Sequence, residues 1–286
     1  MDSVKLYKQA HALHEDVLQL KSNGLKVGFV PTMGALHEGH LNLIRRASKE
    51  NDQVVVSVFV NPTQFNNKKD LELYPRMLDK DLEVLSSLDF ELILFAPVIE
   101  EIYPENDSYE PIDLKGLDQV LEGAFRPGHF QGVAHVVRNL FRIVQPHKAY
   151  FGRKDLQQLA VIRHMTAHYG FGIEIIGCET LRDASGLAMS SRNLRLSNEQ
   201  KEDALIICRT LAKVAKWSNI FSPEEVKEKA LAYFSDSQLK LEYLEIVDDS
   251  SFQLLREQWS ENASCCIAAY CGDVRLIDNM SCKMAQ

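Results

Sequence analysis

The 286-residue sequence lacks the features that mark membrane, secreted and general nucleic-acid-binding proteins. It has no uninterrupted apolar run near the ~20 residues that cross a bilayer, and no apolar start of signal-peptide length. Its formal net charge of −8 is the opposite of the basic surface that binds nucleic acid nonspecifically. We therefore expect a cytoplasmic protein with neither membrane nor nucleic acid among its partners.

Cysteine and glycine patterns exclude further classes of site. None of the six cysteines forms a Cys-x-x-Cys pair, which favours reduced core thiols over a zinc site. The sequence has no Gly-x-x-x-x-Gly-Lys-[Ser/Thr] loop and no Gly-x-Gly-x-x-Gly. These absences argue against a P-loop kinase and an NAD-dependent dehydrogenase. What is present is an ordinary globular composition, with 45% hydrophobic and 25% charged residues.

Strand and helix patterns alternate as far as residue 178. The run 54–60 is apolar on both faces apart from Ser57, which is typical of a parallel strand covered on each side. We predict strands at 26–30, 54–60, 92–95, 148–151 and 173–176, and helices at 4–20, 39–49, 79–87, 133–144 and 156–169. This alternation predicts an α/β fold with a doubly wound parallel sheet, whose ligands bind beyond the carboxyl ends of the strands.

The pattern changes after Cys178. A long helical pattern covers 197–217, and Ser222 followed by Pro223 indicates the start of another helix. Strand-like runs follow at 241–247, 264–270 and 274–278. We predict two domains, residues 1–178 and a smaller α+β domain of residues 179–286.

Two histidines three residues apart lie where a loop with Gly34 meets a helix. His37 and His40 have three interpretations: a metal pair, a phosphate-binding pair at a helix N-terminus, or polar loop residues. Metal is the weakest of these, because no third ligand is near. The sequence around Gly39 resembles the His-x-Gly-His signature of the nucleotidylyltransferase superfamily. In that superfamily the two imidazoles stabilise the α-phosphate during adenylyl transfer.

Other polar residues follow the predicted strands or open helices. Each also has a structural interpretation, as a turn cap, a helix first turn, a connecting loop or a hinge. Amide side chains after the second strand suit a small hydroxylated acid, an acid at a helix start suits Mg²⁺, and cationic and hydroxyl groups suit phosphates. These candidates are Asn61, Gln64, Asp81, Arg126, His129, Lys154, Gln158, Ser190, Ser191 and Arg192.

Together these segments resemble the pantoate–β-alanine ligase family, in order and spacing over nearly the whole chain. The matching segments are 31–40, 59–65, 74–76, 126–130, 152–158, 190–193 and 272–279. The resemblance implies a homodimer with a Rossmann-like first domain and a C-terminal lid domain. It also implies a reaction in which pantoate attacks the α-phosphorus of ATP, with Mg²⁺ as cofactor. The resulting pantoyl adenylate then acylates β-alanine to give pantothenate and AMP.

The resemblance assigns roles to residues at the matching positions. His40, as proton donor, acts in catalysis with His37, Lys154, Ser190, Ser191 and Arg192. The ATP-binding set is Met33, Gly34, Ala35, Leu36, His37, Glu38, Gly39, His40, Gly152, Arg153, Lys154, Asp155, Leu181, Met189, Ser190, Ser191 and Arg192. The substrate-binding set is Gln64 and Gln158 for pantoate, Asn61 near β-alanine, and Tyr74, Arg126 and His129. Asp81 is the Mg²⁺ ligand.

Two positions depart from the family's commonest pattern, and two rival functions stay open. Arg153 stands where an acidic or amide residue is usual, and we expect it to point outward. Lys80 replaces a second carboxylate in the metal region. One rival is a nucleotidylyltransferase acting on a phosphorylated alcohol, which would need a basic acceptor pocket where this chain has Asn61 and Gln64. The other rival is a non-catalytic nucleotide-binding module.

Overall fold

A parallel sheet of six strands forms the first part of the chain, in a computed structural model that describes residues 3–282. The strands are β1 (Val4–Tyr7), β2 (Val27–Thr32), β3 (Gln53–Val58), β4 (Leu92–Phe95), β5 (Lys148–Gly152) and β6 (Glu174–Cys178). Their order across the sheet is β1-β4-β3-β2-β5-β6. The chain therefore winds outward from β2 in one direction and returns to β5 on its other side. This reversal is the switch point where doubly wound sheets bind ligands, and it confirms the predicted fold class.

Helices cover both faces of this sheet. They are α1 (Ala10–Ser22), α2 (Glu38–Glu50), α3 (Lys68–Glu72), α4 (Leu78–Ser86), α5 (Ile99–Ile102), α6 (Leu121–Phe125), α7 (His129–Val144) and α8 (Leu156–His168). Neighbouring residues of β2 face opposite layers. Phe29 packs in the core cluster that contains Phe141 of α7, whereas Val30 packs with Ile44 of α2. The strand is therefore apolar on both faces, as the composition of such runs predicts.

Two predicted helix starts were wrong by about one turn or more. The opening segment was predicted as one helix over 4–20, but Val4–Tyr7 is an edge strand that pairs in parallel with Leu92–Phe95, and the helix begins at Ala10. The strand is only four residues long, and its partner lies almost ninety positions away. A local helical spacing of apolar residues therefore masked it. Helix α7 also begins at His129, one turn earlier than predicted.

The chain after Cys178 forms a second, smaller layer of helices and strands. Its elements are α9 (Asn198–Trp217), α10 (Pro223–Phe234), β7 (Lys240–Asp248), β8 (Ala263–Cys271) and β9 (Val274–Ser281), with the antiparallel order β7-β8-β9. Ser197 and Ser222 cap α9 and α10 through reciprocal bonds with Gln200 and Glu225. The α+β composition is confirmed, and the domain limits 1–178 and 179–286 stay a prediction.

Alternate residues of β9 face the two parts of the chain. Leu276 packs in the core of the second part, whereas Ile277 packs against the core cluster of the first. On the side of Ile277, Arg275 pairs with Glu122, whose side chain is also bonded by Tyr243 of β7. The two sheets therefore meet through apolar and ionic contacts.

All six cysteines, which lie within the described residues, are free, and no helix between residues 3 and 282 is long and apolar enough to span a bilayer.

Candidate active site

Two adjoining cavities lie at the carboxyl ends of β2 and β5, where the second part of the chain covers the first. Their volumes are about 210 and 470 Å³. They share seven of their lining residues, which are Met33, Gln64, Lys154, Asp155, Gln158, Ser190 and Arg192. The smaller cavity is below the ~300–1,000 Å³ of ordinary ligand pockets, so we treat the two as one cleft.

The loop between β2 and α2 is held in a conformation that few residues adopt. Gly34 has φ +80°, and a Cβ there would lie 2.8 Å from Val58 and 2.9 Å from Asp81. Ala35 also has positive φ, at 49°. Asp81 accepts hydrogen bonds from the backbone N–H of Ala35 at 3.0 Å and of Leu36 at 2.7 Å. The carboxylate therefore stabilises the strained turn at the cleft wall.

These contacts do not fit the predicted role of Asp81 as a magnesium ligand. The residue is only 2% exposed, and each of its oxygens already accepts a backbone N–H. Burial raises the pKa of its carboxyl, and the two backbone hydrogen bonds oppose this effect. Among residues 3–282 no group of three His, Cys, Asp or Glu side chains is arranged to hold a metal ion. The carboxylate holds the loop, and no step below depends on a protein-bound metal.

The two histidines stack on each other at the start of α2, with ring centroids 4.0 Å apart. The backbone N–H of Gly39 donates to Nδ1 of His37 at 3.1 Å, and the backbone N–H of His37 donates to Nδ1 of His40 at 3.4 Å. A ring nitrogen that accepts carries no proton, so each neutral imidazole carries its proton on Nε2. Because both rings line the smaller cavity, they form a pair of hydrogen-bond donors there.

Both imidazoles are neutral at pH 7. Burial, followed by the charge of Lys154, lowers the pKa of His37 to about 4. Burial, followed by the proximity of His37 and Lys154, lowers the pKa of His40 well below its ordinary value. With these neighbours neutral His40 presents an Nε2–H hydrogen-bond donor, and its assignment as proton donor stays a prediction.

Lys154 enters the cleft from the turn that follows β5. Its Nζ lies 3.2 Å from the carboxylate of Asp155, and both side chains line both cavities. The turn itself is fixed from the second part of the chain, since the Asn279 amide donates to the carbonyl oxygens of Arg153 at 2.9 Å and Lys154 at 2.8 Å. Segment 272–279 was part of the resemblance but received no role, and this contact supplies one.

The predicted serine–arginine clamp lines the same smaller cavity as Lys154. The Ser190 hydroxyl oxygen accepts the backbone N–H of Arg192, which leaves its proton for a ligand. Ser191 is buried and donates to the carbonyl oxygen of Ala35 at 3.1 Å, so its hydroxyl supports the loop after β2. The Arg192 guanidinium donates to Asp70 at 2.8 Å, a contact that the sequence did not predict.

Four of the predicted substrate-binding residues line the smaller cavity. Gln64 and Gln158 both line the two cavities. Asn61 lines the smaller one, but it is 1% exposed and its Nδ2 donates to Gln64 Oε1 and to the Gly132 carbonyl oxygen. Tyr74 is buried there, with the Arg192 guanidinium 5.8 Å from its ring centroid.

Arg126 and His129 lie behind this wall and line only the larger cavity. Both donate to the backbone carbonyl oxygen of Gln64, at 3.2 Å from Arg126 and 2.8 Å from His129. Burial, followed by the charge of Arg126, lowers the pKa of His129 to about 4. Arg126 also pairs with Glu122 at 3.3 Å. The structure therefore brings both residues next to Gln64, outside the smaller cavity.

The predicted nucleotide residues divide into two groups. Leu181 and Met189 both line the smaller cavity and are joined by a backbone hydrogen bond of 3.0 Å, and Gly39 and Gly152 line it as well. The others lie outside both cavities, namely Gly34, Ala35, Leu36, Glu38 and Arg153. The first three form the supporting loop, Glu38 pairs with Arg45, and Arg153 pairs with Asp249 and Glu179. Arg153 therefore lies away from both cavities.

Sequence reasoning missed Asp70, the acid that contacts Arg192. It lies in the five-residue helix α3, and its carboxylate also pairs with Arg195 at 2.9 Å. Nothing in the local sequence marks this residue, because its partners lie more than 120 positions away. The closing segment 272–279 matched the family pattern, but the match gave no role to Asn279.

Comparison with known proteins agrees with this geometry. The family model described as pantoate-beta-alanine ligase matches residues 5–281. The pantothenate synthetase of Bacteroides fragilis is 49% identical over 282 residues, which cover 95% of this chain and 96% of that protein. The crystal structure of pantothenate synthetase from Thermus thermophilus has a TM-score of 0.90 at 39% identity, covering 98% of this chain and all of that one.

A second solved structure was determined with ligands. The pantoate-beta-alanine ligase of Francisella tularensis, complexed with beta-gamma ATP and beta-alanine, has a TM-score of 0.80 at 38% identity. It covers 98% of this chain and 98% of that one. By its sequence and its fold, the chain belongs to the pantoate–β-alanine ligase family.

Proposed function

We propose that this protein condenses pantoate with β-alanine at the expense of ATP, through a pantoyl-adenylate intermediate. A carboxylate oxygen of pantoate attacks the α-phosphorus, and pyrophosphate leaves with the electrons of the broken P–O bond. The amine of β-alanine then attacks the acyl carbon, the C–O bond to AMP breaks, and an amine proton is released. Neither step uses a covalent enzyme intermediate, so the protein positions the reactants and stabilises charge.

The observation that carries this proposal is the convergence of phosphate-binding groups from distant segments. His37, His40, Lys154 and Arg192 all line the smaller cavity, and together they carry two Nε2–H groups, an ammonium and a guanidinium. Such donors match the charge that develops on a pentacoordinate α-phosphate and on departing pyrophosphate. Ser190 adds a hydroxyl donor to the same group. Leu181 and Met189 offer apolar contacts to adenine, and Asp155 an acceptor to a ribose hydroxyl.

The other wall of the cleft suits a small hydroxylated acid. Gln64 and Gln158 offer neutral amides to pantoate at the wall that the two cavities share. The larger cavity gives β-alanine a route to the acyl carbon past Arg126 and His129. Its lining there includes cationic groups that attract a carboxylate, although Arg126 is already paired with Glu122.

Three finer expectations belong to the proposal. ATP reaches enzymes largely as its magnesium complex, so we propose that Mg²⁺ enters on the phosphate oxygens of ATP, since Asp81 is committed to the loop. A homodimer and a cytoplasmic location rest on the resemblance and the sequence alone. Light scattering of the purified protein tests for the homodimer, and cell fractionation tests the cytoplasmic location.

Pyrophosphate release tests the function directly. We expect protein mixed with Mg·ATP and pantoate to release pyrophosphate and accumulate an acid-labile adenylate, with no other acceptor present. Addition of β-alanine should then yield pantothenate and AMP in equal amounts. Omission of pantoate is the control for simple ATP hydrolysis.

Two outcomes would contradict the proposal. Pyrophosphate release that requires a phosphorylated alcohol would indicate a nucleotidylyltransferase of another substrate class. ATP binding without pantothenate formation would indicate a non-catalytic nucleotide-binding module. The variant Arg45→Ala, on the outer face of the helix that carries His40, should retain full activity because its exposed side chain pairs with the exposed Glu38.

A further inference from the structure

Tyr103 lies behind the cleft and lines neither cavity. Its hydroxyl donates to Oδ1 of Asn61 at 2.7 Å. Its ring meets the imidazole of His135 edge-on, with centroids 4.7 Å apart at 68°. Burial raises the pKa of the Tyr103 phenol to about 12, so the hydroxyl keeps its proton at neutral pH and acts as a donor.

Two backbone contacts identify which way the Asn61 amide points. The backbone N–H of Thr63 can only donate, and it lies 3.3 Å from Oδ1. The carbonyl oxygen of Gly132 can only accept, and it lies 3.2 Å from Nδ2. The oxygen of Asn61 therefore faces Tyr103 and Thr63, and its NH₂ group faces Gln64. Tyr103 makes the shortest of these contacts, whereas the side chain of Thr63 is exposed.

The orientation of Asn61 fixes the orientation of Gln64. Nδ2 of Asn61 donates to Oε1 of Gln64 at 3.1 Å, so the Gln64 amide must turn its oxygen toward Asn61 and its NH₂ toward the cleft. There Nε2 lies 3.0 Å from the sulfur of Met33, which is a weak acceptor. A ligand oxygen is a stronger acceptor than this thioether and would take over the donor.

The polypeptide around this chain of hydrogen bonds has little freedom to adjust. Gly132 of α7 packs so closely on the turn that a Cβ there would lie 2.6 Å from the carbonyl oxygen of Thr63. The backbone carbonyl of Gln64 is held by His129 at 2.8 Å. The Gln64 side chain is therefore anchored at its backbone and at its amide oxygen, with only the NH₂ group presented to a ligand.

We propose that Tyr103 is a positioning residue for the acid substrate, acting through Asn61 on Gln64. The hydrogen bonds run from the Tyr103 hydroxyl to the Asn61 amide and from there to the Gln64 amide. They leave a hydrogen-bond donor in this part of the cleft, which favours the carboxylate or hydroxyl oxygens of a ligand and disfavours its N–H groups. The inference rests on the proposed function, in which Gln64 meets pantoate. It assigns a role to a residue that touches no substrate.

Steady-state kinetics of Tyr103→Phe test this role. Loss of one neutral hydrogen bond in the chain should raise KM for pantoate about two- to ten-fold, while KM for ATP stays unchanged. Tyr109→Phe is the matched control, because Tyr109 stacks on the same His135 but gives its hydroxyl to Gln131. A pantoate KM that does not change in Tyr103→Phe, or an equal rise for ATP, would overturn the proposal.

Gln64→Glu tests the direction of the amide by itself. The substitution keeps the size of the side chain but replaces the cleft-facing NH₂ with oxygen. We expect KM for pantoate to rise more than ten-fold at pH 8 and to recover partly at pH 5.5, where a protonated carboxyl donates again. A normal pantoate KM at pH 8 would mean that the Gln64 oxygen faces the ligand, and would overturn the inference.

The wild-type assay separates this inference from the proposed function. Wild-type protein that releases no pyrophosphate with pantoate and ATP contradicts the function itself. Active wild type combined with an unaffected Tyr103→Phe contradicts only the positioning role. Thermal melting of each variant, compared with wild type, identifies a change in KM that follows from partial unfolding.

Discussion

The carboxylate of Asp70 lies 2.8 Å from the guanidinium of Arg192, the cation that we place on the departing pyrophosphate. Arg195 pairs with the other oxygen of Asp70 at 2.9 Å. Burial raises the pKa of Asp70, but the hydrogen bond and charge of Arg192 and the charge of Arg195 outweigh this effect, and the pKa is lowered. An acid of the protein thus pairs with the arginine that we propose for the phosphates of ATP.

Removal of this acid should strengthen ATP binding. A triphosphate must displace Asp70 from Arg192, and a partly exposed pair of this kind contributes no more than about 1 kcal/mol. We therefore expect Asp70→Asn to lower KM for ATP about two- to five-fold in steady-state assays. Asp273→Asn is the control, because its exposed pair with Lys69 also joins α3 to the second part of the chain but does not touch Arg192. A higher KM for ATP in Asp70→Asn would mean that the acid orients the arginine productively.

Local pattern predicted much of this fold, and pairing between distant segments explains what it missed. The β2–loop–α2 unit was predictable because its apolar periodicity, its glycines and its histidines lie close together in the chain. The strand Val4–Tyr7 was missed because its pairing with β4 decides its conformation.

The site divides in the same way. Lys154 and Gln64 were predictable because each follows a parallel strand, and such carboxyl ends meet at one sheet edge. Tyr103 and Asp70 were not, since each acts on a partner placed by tertiary packing. The magnesium role of Asp81 stays a prediction, and its contacts do not fit it for a related reason. The sequence shows a carboxylate at a helix start, but not the two backbone N–H groups that occupy it.

Asp81→Asn separates a loop-holding role from a metal-binding role. An asparagine oxygen can accept from Ala35 or Leu36 but its NH₂ group opposes the other backbone N–H, so the turn loses its support. We expect KM for ATP to rise about ten-fold, with an unchanged Mg²⁺ concentration for half-maximal activity at saturating ATP. The matched variant is Asp79→Asn, an acid in the same helical turn that should behave as wild type. A large increase in the Mg²⁺ requirement alone would restore Asp81 as a ligand.

The histidine pair should titrate far from pH 6.5. Because burial lowers the pKa of His37 to about 4 and that of His40 well below its ordinary value, both rings stay neutral from pH 7 down to pH 5.5. Long-range ¹H–¹⁵N NMR spectra should show both as Nε2–H tautomers over that range. Spectra of His37→Gln and His40→Gln assign the signals. A ring that protonates near pH 6.5 in the free protein would contradict the donor arrangement.

The ion pair between Glu122 and Arg275 should make stability depend on pH below 4.5. Burial raises the pKa of Glu122, but Arg275 outweighs this and lowers it from 4.5 to about 2. A lowered carboxyl pKa stabilises the fold above the unfolded value, and this stabilisation is lost as the pH falls toward 2. Between pH 6 and pH 3 this group should account for about 2 kcal/mol of the fall in unfolding free energy.

Urea denaturation at several pH values measures this contribution. We expect Glu122→Gln to be less stable than wild type at pH 7, because Arg275 keeps Glu242 but loses its second carboxylate. Its stability should then fall less steeply below pH 4.5. Equal slopes for the two proteins would show that the Glu122 carboxyl titrates alike in folded and unfolded states.

Asn279 should set the affinity for ATP from the far side of the cleft, since its two amide hydrogens hold the carbonyl oxygens of Arg153 and Lys154. Asn279→Ala removes both bonds, and we expect KM for ATP to rise about ten-fold with a smaller effect on pantoate. Asn279→Asp keeps the volume but sets a carboxylate against two carbonyl oxygens, so it should be worse than alanine. If Asn279 only filled space, the order would reverse, because aspartate would pack as well as asparagine and alanine would leave a gap.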